Sequence, residues 1–247
     1  MPAEGTLLLH RREVEQMLGL AECIEAVEEV FRSYGEGKVP APSLLSVKAP
    51  QGGLHVKAAF LPGPKNYIVA KLNTNFPGNS ARSALPTIQG LIVLCDGDNG
   101  RPLAVFDSID ITIKRTAAAS AVAAKYLARR DSYIATICGC GRQGRAQLRA
   151  LASVLPLKKI HAFDLNKSVA EILANELGDE LKLEIEVVTG VRGALAQSDV
   201  CVTCTTAEKF FVRKEDVAPG TFIAAVGADD SHKQEIDPAL MASAKVV

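Results

Sequence analysis

The chain is 247 residues long, 48% hydrophobic and 23% charged, enough to bury a substantial core in one large domain or two smaller ones. Its 28 basic and 28 acidic side chains cancel, leaving no basic excess to release counterions from a nucleic acid or to hold an anionic membrane. The apolar run near the start is too short for a signal segment and no later stretch approaches a membrane span, so a soluble cytoplasmic protein is expected, with neither polymer as partner.

Apolar residues Ile24, Val27, Phe31 and Tyr34 recur at helical spacing, and Gly35 follows where a C-cap glycine belongs, so residues 12–34 are predicted helical. From 42 to 107 the texture changes to short β-rich runs, SLLSV, GLHVKAAF, YIVAKLNTNF, TIQGLIVLCD and PLAVFD, punctuated by Gly, Pro and Asn. These predict an antiparallel sheet of hairpins, with DGDNG at 96–100 the clearest turn. Residues 110–130 form the strongest helix pattern, with Asp110 or Thr112 as its cap and alanines that permit close packing. This helix is expected to bridge two domains, 1–125 and 126–247.

Beyond it, strand and helix alternate: strands at 132–138, 159–163, 184–189, 199–205 and 221–227, helices at 144–154, 167–178 and 191–197. That alternation predicts an α/β fold, a doubly wound parallel sheet of the Rossmann kind preceded by an α+β domain. After the short helical turn DPALMASA the chain runs KVV and stops where a sixth strand would start, so a truncated C-terminus is expected.

The stretch ICGCGRQGRAQ places Gly139, Gly141 and Gly144 between a β-branched strand and a helix, and an acidic residue, Asp164, ends the next strand. Gly139 would allow the sharp turn, Gly141 close approach of the backbone to a pyrophosphate, and Gly144 tight packing of helix on strand. With Arg142 and Gln143 these residues open the helix, whose N-terminal amides face negative phosphates. Asp164 stands where a carboxylate accepts ribose hydroxyls and repels a 2′-phosphate, favouring NAD over NADP, though it also suits a turn. Thr205 and Thr206, at the carboxyl edge of the sheet, read equally as ligand contacts or as ordinary strand-end threonines.

Six cysteines lie at 23, 95, 138, 140, 201 and 204 in apolar contexts and read as reduced. Cys138, Cys140, Cys201 and Cys204 have spacings that zinc could use, but they fall at the ends of buried strands, so small buried hydrophobes are the better reading and no metal is expected.

Four stretches, AKLNTNFPGN at 70–79, LPTIQGLIVLCDGDNGRPLAVFDSIDITIKRTAAASA at 85–121, GCGRQGRAQ at 139–147 and VGADDSHKQEID at 226–237, resemble the ornithine cyclodeaminase and mu-crystallin family in order and approximate spacing. The resemblance implies a substrate domain that also builds a homodimer, a Rossmann domain, and a small amino or imino acid lying between them over the nicotinamide. It implies that Lys71 contacts the substrate and moves protons, that Arg115 grips its carboxylate, and that Asp229 positions and deprotonates a distal amine. Asp230 is an alternative to Asp229.

These roles are chemically sensible in themselves. Arginine offers a planar fork for two carboxylate oxygens, and a helix beginning at 112 adds amide dipoles of the right sign. A lysine partly desolvated becomes a usable acid or base. Lys114 lies about 100° from Arg115 around the helix, so at most one of the two faces the site. The chain departs from the family at Ser43, where a second carboxylate-binding arginine is usual. Lys57, an isolated lysine in an apolar strand, is either its replacement or a snorkelling edge lysine. His232 either touches the substrate's distal end or caps its loop, the latter being preferred, and His10, His55 and His161 read as structural.

The activity these features imply is NAD-dependent cyclodeamination, ornithine to proline and ammonia through an imine with no net redox change. An amino-acid dehydrogenase or cyclic ketimine reductase using the same site is the alternative, and a non-catalytic nucleotide-binding protein a third reading.

Overall fold

The structure, a computed structural model, describes residues 5–229 and 232–247. It divides into two compact units, Met1–Arg115 and Thr116–Val247.

In the first unit, β1 (Leu7–Leu9) is followed by α1 (Arg11–Met17) and α2 (Leu20–Gly35), then β2 (Ser43–Ala49), β3 (Gly52–Leu61), β4 (Tyr67–Asn75), α3 (Asn79–Ser83), β5 (Ile88–Asp96) and β6 (Pro102–Asp107). These strands form one sheet in the order β1-β6-β5-β4-β3-β2. All neighbours are antiparallel except β1, which joins β6 in parallel. The expected hairpin sheet is therefore present, and the 96–100 turn is closed by bonds from Asp96 N–H to the Arg101 carbonyl and from Gly100 N–H to the Asp96 carbonyl.

The helix expected over 12–34 is two helices. The chain breaks at Leu18 and Gly19, where Gly19 adopts an extended conformation and the Glu22 carboxylate accepts its N–H at 2.9 Å. That bond satisfies an amide an uninterrupted helix would have paired. Gly35 is likewise not the cap; it is the last helical residue, and the left-handed position falls to Gly37, with φ +72°.

Helix α4 (Ile109–Leu127) runs through the division between the units. Neither Asp110 nor Thr112 caps it. The Asp107 carboxylate accepts from Ile109 N–H at 2.8 Å and the Ser108 carbonyl from Thr112 N–H, which places Asp110 inside the first turn.

The second unit contains β7 (Ile134–Cys138), α5 (Arg142–Ala152), β8 (Lys159–Phe163), α6 (Lys167–Leu181), β9 (Glu184–Val187), α7 (Val191–Leu195), β10 (Val200–Thr203), a 3-10 turn at Lys214–Asp216, β11 (Phe222–Ala225) and α8 (Pro238–Ser243). Its sheet is parallel throughout in the order β11-β10-β7-β8-β9. This is the doubly wound α/β arrangement, with the order reversing at β7. Its core unites Ile137, Leu148, Leu151, Ile160, Leu173, Leu177, Val200 and Val202, all fully buried. Cys140 belongs to that cluster, and Cys201 to a smaller one with Leu195, Val212, Ile236 and Leu240. Burial pushes the Cys140 thiol up to about 12, and Cys138 is raised chiefly by its hydrogen bond with Cys201. Among the described residues no helix is long and apolar enough to cross a membrane.

Candidate functional site

The second unit carries the expected glycine turn at the carboxyl end of β7. Gly139 has φ +92°, a conformation side chains rarely adopt, and its N–H bonds the Phe163 carbonyl at 2.8 Å. A Cβ on Gly144 would stand 2.0 Å from the Gly139 carbonyl oxygen, so only glycine lets α5 start this close to β7. Gly141 is different: a Cβ there would meet nothing within 4 Å. It faces open space, and no side chain caps the N-terminus of α5. A strained turn, an uncovered approach and an uncapped helix start together fit a dinucleotide pyrophosphate.

Asp164 takes the turn-forming part expected of it. One carboxylate oxygen accepts the Cys140 N–H of the glycine turn at 2.8 Å, and the other accepts Asn166 N–H at 2.9 Å, shaping the turn before α6. Arg142 is exposed and Gln143 half-buried at the start of α5. Thr206 is exposed, whereas Thr205 is committed internally, since its N–H and hydroxyl both donate to one oxygen of Glu235 at 2.7 Å.

The first unit carries a separate cluster of cations. Lys57 on β3 and Lys71 on β4 are direct cross-strand partners, and Ile92, opposite Lys71 on β5, is buried. Burial holds the Lys71 ammonium down at about 8, helped by the positive charges of Arg115 and Lys57. Arg115 is exposed by area yet closely enough surrounded that desolvation lowers its guanidinium from the ordinary value. None of the three has an acidic partner among the described residues. Lys114 is turned elsewhere: its ammonium pairs with Asp110 at 2.8 Å and donates to the Glu15 and Leu18 carbonyls at the end of α1. The two neighbours on α4 therefore divide as the helical angle requires.

Three expectations are corrected here. Because α4 begins at Ile109, Arg115 sits in its second turn, and the first-turn amides do not reinforce its hold on a carboxylate. Lys57 is not an edge lysine, since β3 lies between β2 and β4. Ser43 pairs with Ala58, one position out of step with Lys57, and so projects from the opposite sheet face.

Asp229 lies in the loop after β11. Its carboxylate is held by Lys233 at 2.6 Å and is about half exposed. Asp230 lies outside the described residues. His232 is exposed, His161 is buried in β8, His55 bonds the Ser46 hydroxyl, and the His10 N–H is taken by Glu13 at the start of α1. Sequence reasoning missed Lys233 and Glu235. An aspartate and lysine at i, i+4 is a local signal that was available for the first; the second bonds residues 8 to 32 positions away and has no local signature.

A dinucleotide-shaped glycine turn on a doubly wound parallel sheet defines the second unit as an NAD-binding fold. The chain belongs to the ornithine cyclodeaminase/mu-crystallin family, whose model matches residues 4–247. It is 36% identical over 242 residues to the alanine dehydrogenase of Archaeoglobus fulgidus, covering 98% of this chain and 73% of that protein. The solved structure of an archaeal alanine dehydrogenase dimer with bound NAD superposes with a TM-score of 0.92 at 36% identity, over 98% of this chain and 73% of that one. The Δ1-pyrroline-2-carboxylate reductase of Thermococcus litoralis, solved with NADH and L-proline, gives 0.88 at 34% identity, over 95% and 73%.

Proposed function

We propose that this chain is an NAD-dependent oxidoreductase that interconverts a small 2-amino acid and its imine, with residues 1–125 holding the substrate and building a homodimer and residues 126–247 holding the cofactor. The observation that carries this reading is the trio of Lys57, Lys71 and Arg115, unpaired among the described residues, with Lys71 lowered to about 8. Such a cluster suits a carboxylate next to a group that exchanges a proton.

NAD, when bound, supplies the hydride acceptor or, reduced, the donor. The chain's own residues do the rest. Arg115 and Lys57 bind the substrate carboxylate and thereby fix the orientation of Cα. Lys71 removes a proton from the substrate amine in one direction and returns it to the imine nitrogen in the other. Asp229 is assigned to the distal amine of a substrate that carries one. The glycine turn and Asp164 hold the dinucleotide, and the carboxylate of Asp164 disfavours a 2′-phosphate.

Cyclodeamination is the second reading, favoured by the presence of Asp229. It requires a distal ammonium to be received, and here Asp229 already has a counter-charge in Lys233 while the Lys57, Lys71 and Arg115 cluster is wholly cationic. One experiment separates the readings: alanine, ornithine, lysine and cyclic imines are offered with NAD or NADH while absorbance at the NADH band and ammonia are followed together. Stoichiometric NADH turnover supports the oxidoreductase. Ammonia and a cyclic amino acid without NADH accumulation support cyclodeamination, and nucleotide binding without turnover refutes both. The homodimer is supported by the opposite sheet face, where Leu45 is 60% and Ile68 40% exposed beside Val47, Phe60 and Leu91, an apolar surface a monomer leaves in water. Light scattering of the purified chain tests it.

A further inference from the structure

Glu235 is buried to 1% exposure, and each of its carboxylate oxygens accepts two hydrogen bonds. Oε1 accepts from Thr205 N–H and the Thr205 hydroxyl at 2.7 Å, and Oε2 from the Thr203 hydroxyl and Gly227 N–H at 2.8 Å. Thr203 ends β10, and Thr205 and Gly227 are the second residues after β10 and β11. The fit is close: a Cβ on Gly227 would stand 2.4 Å from Glu235 and from the Thr205 carbonyl.

The chain delivers this carboxylate deliberately. Val212 and Ile236 form a parallel bridge, Phe211 and Val212 N–H groups bond the Glu235 carbonyl, and Gln234 N–H bonds that of Ala207. Thr205 in turn lies against the glycine turn, where a Cβ on Gly139 would be 2.8 Å from the Cys204 carbonyl and 3.3 Å from the Thr205 methyl.

We infer that Glu235 is a positioning residue that ties the two strand ends beyond β7 into one rigid floor for the nicotinamide half of the cofactor. In a doubly wound sheet each half takes one mononucleotide. Gly139 to Gly144 and Asp164 belong to β7, α5 and β8, whereas every bond made by Glu235 falls on the β10 and β11 side. Burying a carboxylate is costly unless it is fully bonded, so removing part of the set should loosen both segments together. The inference rests on the dinucleotide reading of the glycine turn.

The test compares NADH with ADP-ribose, which lacks the nicotinamide, by calorimetry on the full chain. Glu235→Gln puts an amide N–H₂ against donors; Thr203→Val removes one donor while keeping the shape. Glu235→Gln is expected to weaken NADH at least tenfold and ADP-ribose less than threefold; Thr203→Val is expected to weaken NADH three- to tenfold with ADP-ribose unchanged within twofold, and it decides the matter alone if the first variant does not fold. Equal weakening of the two ligands, or NADH affinity unchanged within twofold, overturns the assignment. A wild-type chain that binds neither ligand overturns the dinucleotide reading itself, and the assignment with it.

Discussion

Lys57 and Lys71 stand directly opposite one another on adjacent strands, with no carboxylate among the described residues to separate or neutralise them. Like charges in that position cost stability. The arrangement is sensible in a site that waits for an anion and uses Lys71 as its acid and base, because each neighbouring positive charge makes the Lys71 proton easier to lose. In the proposed mechanism amino-acid oxidation needs Lys71 neutral, so kcat/KM in that direction should rise with pH through an apparent value near 8, the folded-state value of Lys71 in the free protein. Lys57→Ala removes one of the repelling charges and should move that inflection upward by roughly half a unit to one unit, along with a higher substrate KM. A pH profile of kcat/KM for wild type and variant checks both effects. An inflection that stays in place would show that Lys71 and Lys57 do not share a field.

The same shift has a consequence for stability. Lys71 is held at about 8 in the folded chain and returns to about 10.4 when unfolded. The unfolded state therefore binds the proton more tightly, and stability increases as pH rises from about 8 towards 10.4. At pH 7 the charged lysine is a burden on the fold. Lys71→Met should thus melt higher than wild type at pH 7 in the absence of ligands, with the gap closing towards pH 10, while losing at least a hundredfold in turnover. Thermal melts at several pH values, run beside the activity assay, measure this opposition of stability and function.

Gly141 and Gly144 make a controlled comparison within one turn. Gly144→Ala forces a Cβ to 2.0 Å from a backbone carbonyl that cannot rotate away, and overpacking of this kind costs about 1–3 kcal/mol or more. Gly141→Ala meets nothing, and its φ of −69° suits alanine, so the fold should be unchanged or gain about 0.4–1 kcal/mol. Its methyl does, however, occupy the approach a pyrophosphate would use. The expected outcome is a chain that melts at or above the wild-type temperature yet binds NADH at least tenfold more weakly. Gly144→Ala should lose stability and binding together.

Much of this is legible in the sequence because it is written in short-range patterns. Alternating runs gave the hairpin sheet and the parallel sheet, and strand–glycine–helix spacing gave the turn at Gly139. What was not legible depends on residues distant in the chain. The break at Gly19 is set by a carboxylate three positions on, a weak signal inside an otherwise continuous helical pattern. The short strand β1 exists only because β6 offers it an edge. The partners of Glu235 are brought together by the crossover from β10 to β11, and the side of the sheet on which Ser43 falls depends on register, which a one-residue slip reverses. Lys57, Lys71 and Arg115 were each visible singly; that none of them has an acidic partner among the described residues is a property of the folded chain.

Asp229 and Lys233 show how substrate choice can be tested by changing one counter-charge. Their ion pair is short, at 2.6 Å, but the Asp229 side chain is about half exposed. Pairs of that kind are worth about 0.2–1 kcal/mol. A diamino acid that presents its distal ammonium to Asp229 must displace Lys233 and give up that amount. Lys233→Met should therefore raise kcat/KM for ornithine relative to alanine by roughly 1.4- to fivefold, the range such an energy allows. Adding Asp229→Asn to the same chain should abolish the gain, because the receiving charge is then gone. Asp229→Asn alone should lower turnover of ornithine about a hundredfold, while turnover of alanine and NADH affinity stay within threefold. A double variant that kept the ornithine preference would place the distal amine against some other acceptor, and the ratio of the two substrates, measured with NADH and ammonia followed together, distinguishes these cases.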